Sequence, residues 1–266
     1  MMEALIIGGQ PETAALVADL AATLPLSYRP AASQDEGRSA VEFFAGDQPW
    51  ATRVAESSSD KSWIVVVDPG LDDADAISSL ADKVEAGSAR IAFSESYAGD
   101  PAVELLRGQI AFAVTSCKMH GVTSGSLAGA IFTQVRLARA IGLRSLAAKD
   151  VCAVDGGALV TFSARFGEGD VQFGALATIS SAAAPRHVVK AYGAGDIASL
   201  TLFGSDTARP GEAAIIDATG ERQLPTIYET AHRALLRGLR EREPLTPQEL
   251  RDFATDVRLV QSLDLV

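Results

Sequence analysis

The segment from Trp63 to Gly87 constrains the fold most, because it joins an apolar strand directly to a helix. Residues 63–67, WIVVV, are a near-continuous β-branched run; a turn follows at 68–70, and an amphipathic stretch continues to about residue 86. A strand without polar alternation is buried on both faces, and a helix directly after it is typical of a parallel sheet. The segment therefore predicts an α/β architecture with helices on both faces of the sheet.

The same order of strand and helix recurs through the first half of the chain. Its pattern predicts strands at 3–9, 26–31, 90–94 and 109–115, with helices at 12–24 and 100–107. Between them, AVEFFA within residues 32–60 has some helical or edge-strand character and stays unassigned. We therefore expect residues 1–117 to form a Rossmann-like, doubly wound nucleotide-binding domain.

After residue 117 the pattern changes from alternation to paired strands. A helix ending near Gly142 precedes two predicted hairpins, one at 159–180 turning on 167–170 and one at 187–203 turning on 193–196. Two closing helices are predicted at 226–240 and 247–263, the second with a capping box between Thr246 and Glu249. Residues 118–266 thus read as an α+β domain with an open, mainly antiparallel sheet.

The charge and hydropathy of the chain exclude several partners. Its formal net charge of −11 offers no basic stripe for nucleic acid, so we expect a small-molecule ligand. The apolar runs are too short to cross a membrane and the first residues lack a signal core, which predicts a cytoplasmic protein. Cys117 and Cys152 stand far apart, which favours two buried thiols over a disulfide or zinc site.

Three segments of the second half, in the right order, resemble one family of enzymes. They are VDGGALVTFSARFGEGDVQFGALATIS at 154–180, HVVKAYGAGDIASLTLFG at 187–204, and the closing helical pair at 228–263. Together they resemble the glucose–fructose oxidoreductase, inositol dehydrogenase and rhizopine catabolism protein family (Gfo/Idh/MocA). The resemblance implies an NAD(P)-dependent sugar or polyol dehydrogenase with a Rossmann domain followed by an open-sheet domain. It also implies a glycine fingerprint, a Glu-Lys-Pro motif whose lysine helps move the substrate proton, and an Asp and a His four residues apart on the helix that opens the second domain.

The glycine fingerprint is only partly present in this chain. The frame G-x-G-x-x-G reads Gly8, Gln10, Thr13, so the glycine of the tight turn remains and the other two are replaced. Gly8, Gly9 and Gln10 are the candidate cofactor-binding residues of this turn. Glu12 places a carboxylate in the first helical turn, where it either opposes a phosphate or simply stabilises the helix.

Arg29 stands about where the family has an acid for the ribose. An arginine there either meets a 2′-phosphate, which favours NADP over NAD, or is an ordinary solvated side chain. Asp68 and Pro69 follow the strand after which the family contacts the nicotinamide end. They are candidates for lining a cofactor cleft, and the alternative is an ordinary turn.

The acid–base residues that the resemblance implies are replaced. Glu95-Ser96-Tyr97 aligns best with Glu-Lys-Pro and has no lysine, and counting back from Gly142 places Ala128 and Phe132 at the Asp and His positions. Lys118 and His120 are the remaining close pair with suitable chemistry, and a solvated loop pair is the alternative. The weak catalytic candidates are therefore Lys118, His120 and Ser96.

Two functional hypotheses follow from this pattern. The first is an oxidoreductase-like protein of the sugar or polyol dehydrogenase type with degenerate motifs, using NAD or NADP with a lean to NADP. The second is a catalytically inactive family member that acts as a binding or partner subunit and uses no cofactor. The apolar, alternating face of the two hairpins needs a cover, which predicts a homodimer through the C-terminal sheet.

Overall fold

The chain forms two compact units in the computed structural model, which describes residues 5–31, 40–57, 63–87, 89–204 and 209–265. Unit 1 comprises Met1–Glu95 and Ala231–Val257, and unit 2 comprises Ser96–Thr230 and Arg258–Val266. The predicted boundary between residues 117 and 118 divides the chain once. The two compact units instead have three boundaries, after residues 95, 230 and 257, because the chain returns to unit 1 near its C-terminus and then leaves it again.

A five-stranded parallel sheet forms the centre of unit 1. Its order is β2-β1-β3-β4-β5, so the direction of strand addition reverses between β1 and β3. In open α/β sheets of this kind, ligands bind outside the carboxyl ends of the strands at the point of reversal. The strands are β1 (Leu5–Gly9), β2 (Tyr28–Pro30), β3 (Val41–Ala45), β4 (Trp63–Val67) and β5 (Arg90–Ser94).

Seven α-helices occur in the described part of the chain, and several begin with a side-chain cap. Asp73, Asp100 and Ser126 accept hydrogen bonds from the first free N–H groups of the third, fourth and fifth helices. Thr246 and Glu249 exchange the reciprocal bonds of the predicted capping box, which is confirmed. The helices are α1 (Ala14–Thr23), α2 (Trp50–Ser57), α3 (Ala74–Glu85), α4 (Pro101–Arg107), α5 (Leu127–Ala140), α6 (Ala231–Gly238) and α7 (Pro247–Gln261).

The core of unit 1 includes residues from the far end of the sequence. Leu235, Leu236 and Leu239 of the α6 region lie in the same buried cluster as residues of β1, α1 and β3. The buried Tyr28 hydroxyl donates a hydrogen bond of 2.7 Å to the Leu236 carbonyl, which ties α6 to β2. The α6 helix is therefore part of the α/β unit, and the sequence placed it in the second domain.

The unassigned AVEFFA segment provides an interior strand of the parallel sheet. β3 pairs with β1 on one side and β4 on the other, and Val41, Phe43 and Phe44 are buried. Of the two alternatives left open for this segment, the strand is the right one, but it is interior and not at an edge, because apolar side chains on both faces suit an interior parallel strand. Residues 32–39 and 58–60 of that region lie outside the described residues.

An eight-stranded, mainly antiparallel sheet forms unit 2. Its order is β13-β12-β11-β10-β6-β9-β8-β7, and β6 with β9 is its parallel pair. Helix α5 packs on one face, contacting β6, β7, β8 and β9. The strands are β6 (Ser116–Thr123), β7 (Leu143–Val154), β8 (Gly157–Phe166), β9 (Gly169–Ile179), β10 (Arg186–Tyr192), β11 (Ile197–Phe203), β12 (Glu212–Asp217) and β13 (Gly220–Gln223).

Both predicted hairpins are confirmed, and one predicted strand is wrong. β8 with β9 and β10 with β11 form antiparallel hairpins that turn where the sequence indicated. Residues 109–115 form no strand; the strand begins at Ser116 and belongs to unit 2. Its side chains alternate, Cys117 and Met119 inward and Lys118 outward, which suits a sheet with one open face. The fold class, a doubly wound parallel sheet followed by an α+β part, is confirmed.

The two cysteines differ in their surroundings. Cys117 is buried, and burial raises the pKa of its thiol to about 12. Cys152 is exposed, because it lies on the edge strand β7, most of whose residues face solvent. The expectation of two buried thiols is wrong for Cys152.

Candidate functional site

Gly9 allows helix α1 to pack closely on the parallel sheet. A Cβ atom at this position would collide with the Thr13 hydroxyl and lie 3.0 Å from Val17 Cγ2 and 3.3 Å from Phe43 Cβ. Close packing of helix against strand is the role of one glycine in the dinucleotide fingerprint. Gly9 serves it here, although it stands outside the expected frame.

We expect Gly9→Ala to lower the free energy of unfolding by about 1–3 kcal/mol, because the added methyl group overpacks the α1 contact. Urea denaturation followed by tryptophan fluorescence checks this, since Trp50 and Trp63 both lie in unit 1. Gly87→Asn is the matched glycine control, because a Cβ there meets nothing within 4 Å and its φ of +70° suits asparagine. Equal changes in the two variants would contradict the packing role.

The turn after β1 uses most of its own N–H groups. The Thr13 N–H donates to the Gln10 carbonyl at 2.9 Å, the Ala14 N–H donates to the Pro11 carbonyl, and Pro11 has no N–H. The Thr13 hydroxyl also points inward, donating to the Gln10 and Phe43 carbonyls. These groups are therefore committed to the turn, whereas a phosphate site at a helix start needs them outward.

A cavity of about 500 Å³ lies over the carboxyl ends of β1, β2 and β3. This is the point at which the strand order reverses. The size is within the range of small-molecule sites, and its walls are mainly apolar. Its lining is Ile7, Gly8, Gly9, Gln10, Ala14, Val17, Ala18, Pro30, Ala31, Glu42, Phe43 and Phe44.

The predicted cofactor residues divide around this cavity. Gly8, Gly9 and Gln10 line it, whereas Arg29, Asp68 and Pro69 are not part of the lining among the described residues. Arg29 is half-buried in β2, directly before two lining residues. Glu42, which the sequence did not suggest, contributes a carboxyl group to the wall, and burial raises its pKa.

Three polar side chains meet where β4 and β5 end. Ser94 Oγ lies 2.7 Å from His232 Nδ1, and His232 Nε2 lies 3.7 Å from Asp68 Oδ2. Ser94 is 2% exposed and the His232 side chain 10%, whereas 49% of the Asp68 side chain is exposed. A ligand at this edge of the sheet therefore reaches Asp68 first, and Ser94 is too buried to act as a nucleophile.

The surroundings of His232 determine its protonation. Burial lowers the pKa of the imidazole, and the negative charge of Asp68 opposes that shift without reversing it. The ring is thus neutral near pH 7. An Asp68 carboxylate favours the tautomer with hydrogen on Nε2, which leaves Nδ1 to accept a hydrogen bond from the Ser94 hydroxyl.

The backbone holds Asp68 in an uncommon conformation. Its φ of +47° is in the left-handed region, which costs least for glycine, asparagine and aspartate among the residues. The Asp68 N–H donates to the Ser94 carbonyl at 2.8 Å, and the Gly70 N–H donates to the Gly46 carbonyl at 2.9 Å. Such a conformation, held by surrounding bonds, is a feature that often accompanies functional sites.

Sequence reasoning missed the cluster of Asp68, Ser94 and His232 as a unit. It found no convincing Ser-His-Asp order, because His232 is separated from Ser94 by 138 residues. A partial signal existed: Asp68 directly follows β4, Ser94 is the last residue of the neighbouring parallel strand β5, and such strand ends meet at one edge of a sheet. Nothing in the spacing of His232 pointed to that edge.

Several solved structures share the fold of this chain. UDP-N-acetylglucosamine 3-dehydrogenase from Acidithiobacillus ferrooxidans is 12% identical, with a TM-score of 0.72 and 98% of each chain covered. GenD2 from gentamicin A biosynthesis, solved in complex with NAD, is 13% identical with a TM-score of 0.66, covering 99% of this chain and 95% of its own. An oxidoreductase from Pseudomonas syringae is 10% identical with a TM-score of 0.69, covering 97% and 95%. The chain has the fold of the Gfo/Idh/MocA-type oxidoreductases. No family model and no curated protein matches the sequence.

The residues that the sequence alignment matches to the family's acid–base groups lie in two different elements. By the alignment of the sequence, Ser96 stands for the lysine and lies in the turn after β5; Ala128 and Phe132 stand for the Asp and His on α5. Phe132 is 3% exposed and cannot exchange a proton. The loss of the family's three acid–base groups stays a prediction from the sequence.

Lys118 and His120 lie together on the open face of the unit 2 sheet. Both line a cavity of about 530 Å³ with Lys190, which stands directly opposite Lys118 on β10. His120 Nε2 is 3.3 Å from the Thr178 hydroxyl. The strand places the two candidates on the face opposite α5, and Ser96 is not part of the described lining of this cavity.

The described ranges contain neither a cluster of metal ligands nor a membrane-spanning helix. No group of three or more histidine, cysteine, aspartate or glutamate side chains there is arranged to hold a metal ion. No helix there is long and apolar enough to cross a membrane.

Proposed function

We propose that the protein binds a nicotinamide dinucleotide in unit 1 and acts as a dehydrogenase on a sugar, polyol or related hydroxy compound. The cavity over β1, β2 and β3 carries the proposal, because it lies at the strand reversal where this architecture binds dinucleotides. The full-length likeness to a UDP-N-acetylglucosamine dehydrogenase and to an NAD complex supports it. When bound, the nicotinamide ring would supply hydride transfer.

The lining suggests how this chain would hold the dinucleotide. The backbone of Gly8, Gly9 and Gln10 would lie beside the pyrophosphate, and Val17 with Phe43 would offer apolar surface to a nucleoside. The turn offers few N–H groups to a phosphate, so we expect modest affinity. Binding would depend mainly on the apolar wall.

The choice between NAD and NADP depends on two side chains of opposite charge. Arg29 precedes the lining residue Pro30 and would favour the 2′-phosphate of NADP, as the sequence suggests. Glu42 in the wall would oppose a further phosphate and accept a hydrogen bond from a ribose hydroxyl. Titrating the protein with NADH and NADPH separately, followed by fluorescence, decides between them.

A second candidate function belongs to a different class. The chain would serve as a binding or partner subunit without dehydrogenase chemistry, and the occupied N–H groups of the β1 turn favour this reading. The same titration distinguishes the dehydrogenase from the partner subunit. Saturable binding with a dissociation constant below about 1 mM, which is a weak affinity for a cofactor, supports the dehydrogenase. Absence of binding at that concentration would leave the partner function.

We also propose a homodimer formed through the open face of the unit 2 sheet. Leu159 is 45% exposed and Leu176 is 38% exposed there, side by side on β8 and β9. Sheet-to-sheet pairing of two copies would cover them. A cytoplasmic location stays a prediction.

Light scattering tests the dimer. We expect a mass of twice 27.7 kDa, and we expect Leu176→Glu to give monomers because it places a charge in the paired face. Leu26→Glu, at a site that is 89% exposed in unit 1, is the control and should leave the mass unchanged. A monomeric wild-type protein would contradict the proposal.

A further inference from the structure

We propose that Asp68 and His232 together bind one hydroxyl group of a polyhydroxy substrate, with the Asp68 carboxylate accepting its proton. The inference rests on the proposed dehydrogenase function and names its proton acceptor. An alcohol must lose a proton when it is oxidised, and the aligned positions of this chain hold no lysine, aspartate or histidine for that step. The polar cluster at the ends of β4 and β5 provides a carboxylate and an imidazole instead.

The spacing of the two groups suits a hydroxyl between them. His232 Nε2 and Asp68 Oδ2 are 3.7 Å apart, which is too far for a direct hydrogen bond. An oxygen atom about 2.8 Å from each would complete a triangle with ordinary hydrogen-bond lengths. A substrate oxygen beside the pair can therefore contact both groups at once.

The hydrogen-bonding character of the two groups also suits a hydroxyl. A hydroxyl group donates one hydrogen bond and accepts others, so its best partners are one acceptor and one donor. Asp68 is the acceptor, and the neutral His232 presents its Nε2–H as the donor. Ser94 is compatible with that arrangement, because its contact with Nδ1 holds the ring in place and its hydroxyl can donate to Nδ1 in this tautomer.

The step is balanced with the proposed cofactor. The substrate O–H bond breaks and its proton passes to Asp68, while the C–H bond breaks and its electron pair leaves as hydride to the nicotinamide of NAD(P)⁺. A C=O bond forms, and its oxygen keeps the hydrogen bond from His232 Nε2–H. In the reverse direction Asp68 returns the proton. Asp68 and His232 touch the substrate, whereas Ser94 is a positioning residue.

The cluster and the nucleotide cavity share one edge of one sheet. β3, whose Phe43 and Phe44 line the cavity, pairs directly with β4, and Asp68 is the residue that follows β4. Neighbouring strands lie about 4.8 Å apart, so a ligand extending from the cavity along the carboxyl edge passes the cluster.

Histidine-selective ¹⁵N labelling tests the inference, because the chain has three histidines. Spectra of the full chain are recorded while UDP-N-acetylglucosamine or myo-inositol is added, with and without NADH, and His232→Gln assigns the His232 signals. We expect neutral His232 with hydrogen on Nε2 at pH 7. We also expect at least one probe to shift its ring signals while those of the buried His187 stay in place.

Substitutions make the test specific. Asp68→Asn keeps the shape and removes the proton acceptor, so we expect about tenfold weaker probe binding, equivalent to 1.4 kcal/mol. Any turnover should fall by about 10²–10⁴-fold in kcat. Asp155→Asn, in the exposed turn between β7 and β8, is the control and should change neither probe binding nor kcat. Ser94→Ala should alter the His232 tautomer signals.

Failure of the inference differs from failure of the proposed function. His232 signals that respond to neither probe, or Asp68→Asn binding as tightly as wild type, would overturn the inference even if NADH binds. Absence of NADH binding would refute the dehydrogenase function and with it the proton-transfer step. A His232 response to a probe without NADH would then support only the hydroxyl contact.

Discussion

Replacing Phe253 with alanine is expected to lower the free energy of unfolding by about 3–5 kcal/mol, the usual cost of removing a buried aromatic ring. Phe253 of α7 is 0% exposed, and its ring centroid lies 4.6 Å from that of Phe93 and 5.9 Å from that of Trp50. Edge-on and tilted aromatic contacts of this kind add to the burial of area. The C-terminal helix therefore contributes a central part of the unit 1 core.

Guanidinium denaturation followed by tryptophan fluorescence measures this cost, because both tryptophans lie in unit 1. Tyr228→Ala removes an aromatic ring that is 83% exposed, so it serves as the control and should change stability by less than about 0.5 kcal/mol. A Phe253→Ala variant as stable as that control would show that α7 is not part of this core.

Acidification from pH 6.5 to pH 4 is expected to remove about 3 kcal/mol of stability through His187 alone. This side chain is 3% exposed, and burial, with a smaller contribution from the charge of His120, lowers its pKa to about 4. The Tyr97 ring lies 4.4 Å away, and among the described residues His187 Nδ1 has no hydrogen-bond partner. The desolvation of the ring therefore disfavours the imidazolium form.

The sign follows from proton binding. Between pH 6.5 and 4 the unfolded chain protonates His187 and the folded chain does not, so acid favours unfolding. The stabilisation is complete above pH 6.5 and is lost as the pH falls through about 4. Unfolding free energies of wild type and His187→Gln should therefore converge as the pH is lowered. Parallel curves over this range would contradict the prediction, whatever the stability of the variant at neutral pH.

Much of the fold is predictable where the signal is local. The apolar run of β4, the glycine turns of the two hairpins and the Thr246 cap depend on neighbouring residues, and each is confirmed. β3 was not assigned, because a five-residue apolar segment suits a strand or a buried helix equally. The return of α6 and α7 to unit 1 depends on contacts such as Tyr28 with Leu236, which no local pattern reports.

In the candidate site, too, local features were predictable from the sequence and long-range contacts were not. The turn at Gly8 to Gln10 lies in a cavity, and it was found because a strand, a glycine turn and a helix are contiguous. The cluster of Asp68, Ser94 and His232 was missed, because it depends on α6 folding back onto the end of β5. Lys118 and His120 looked like a loop pair because the start of β6 was placed seven residues too early.

The most direct test of dinucleotide binding in the β1–β3 cavity is calorimetry with NADH. It compares the wild-type protein with two variants in which an alanine of helix α1 is replaced by phenylalanine. Ala18 lines the cavity and Ala15 does not, and both are exposed, so Ala18→Phe fills the site while Ala15→Phe adds the same group elsewhere. We predict saturable wild-type binding below about 1 mM, unchanged in Ala15→Phe and at least about tenfold weaker in Ala18→Phe. No wild-type binding, or equal binding in both variants, would contradict the account.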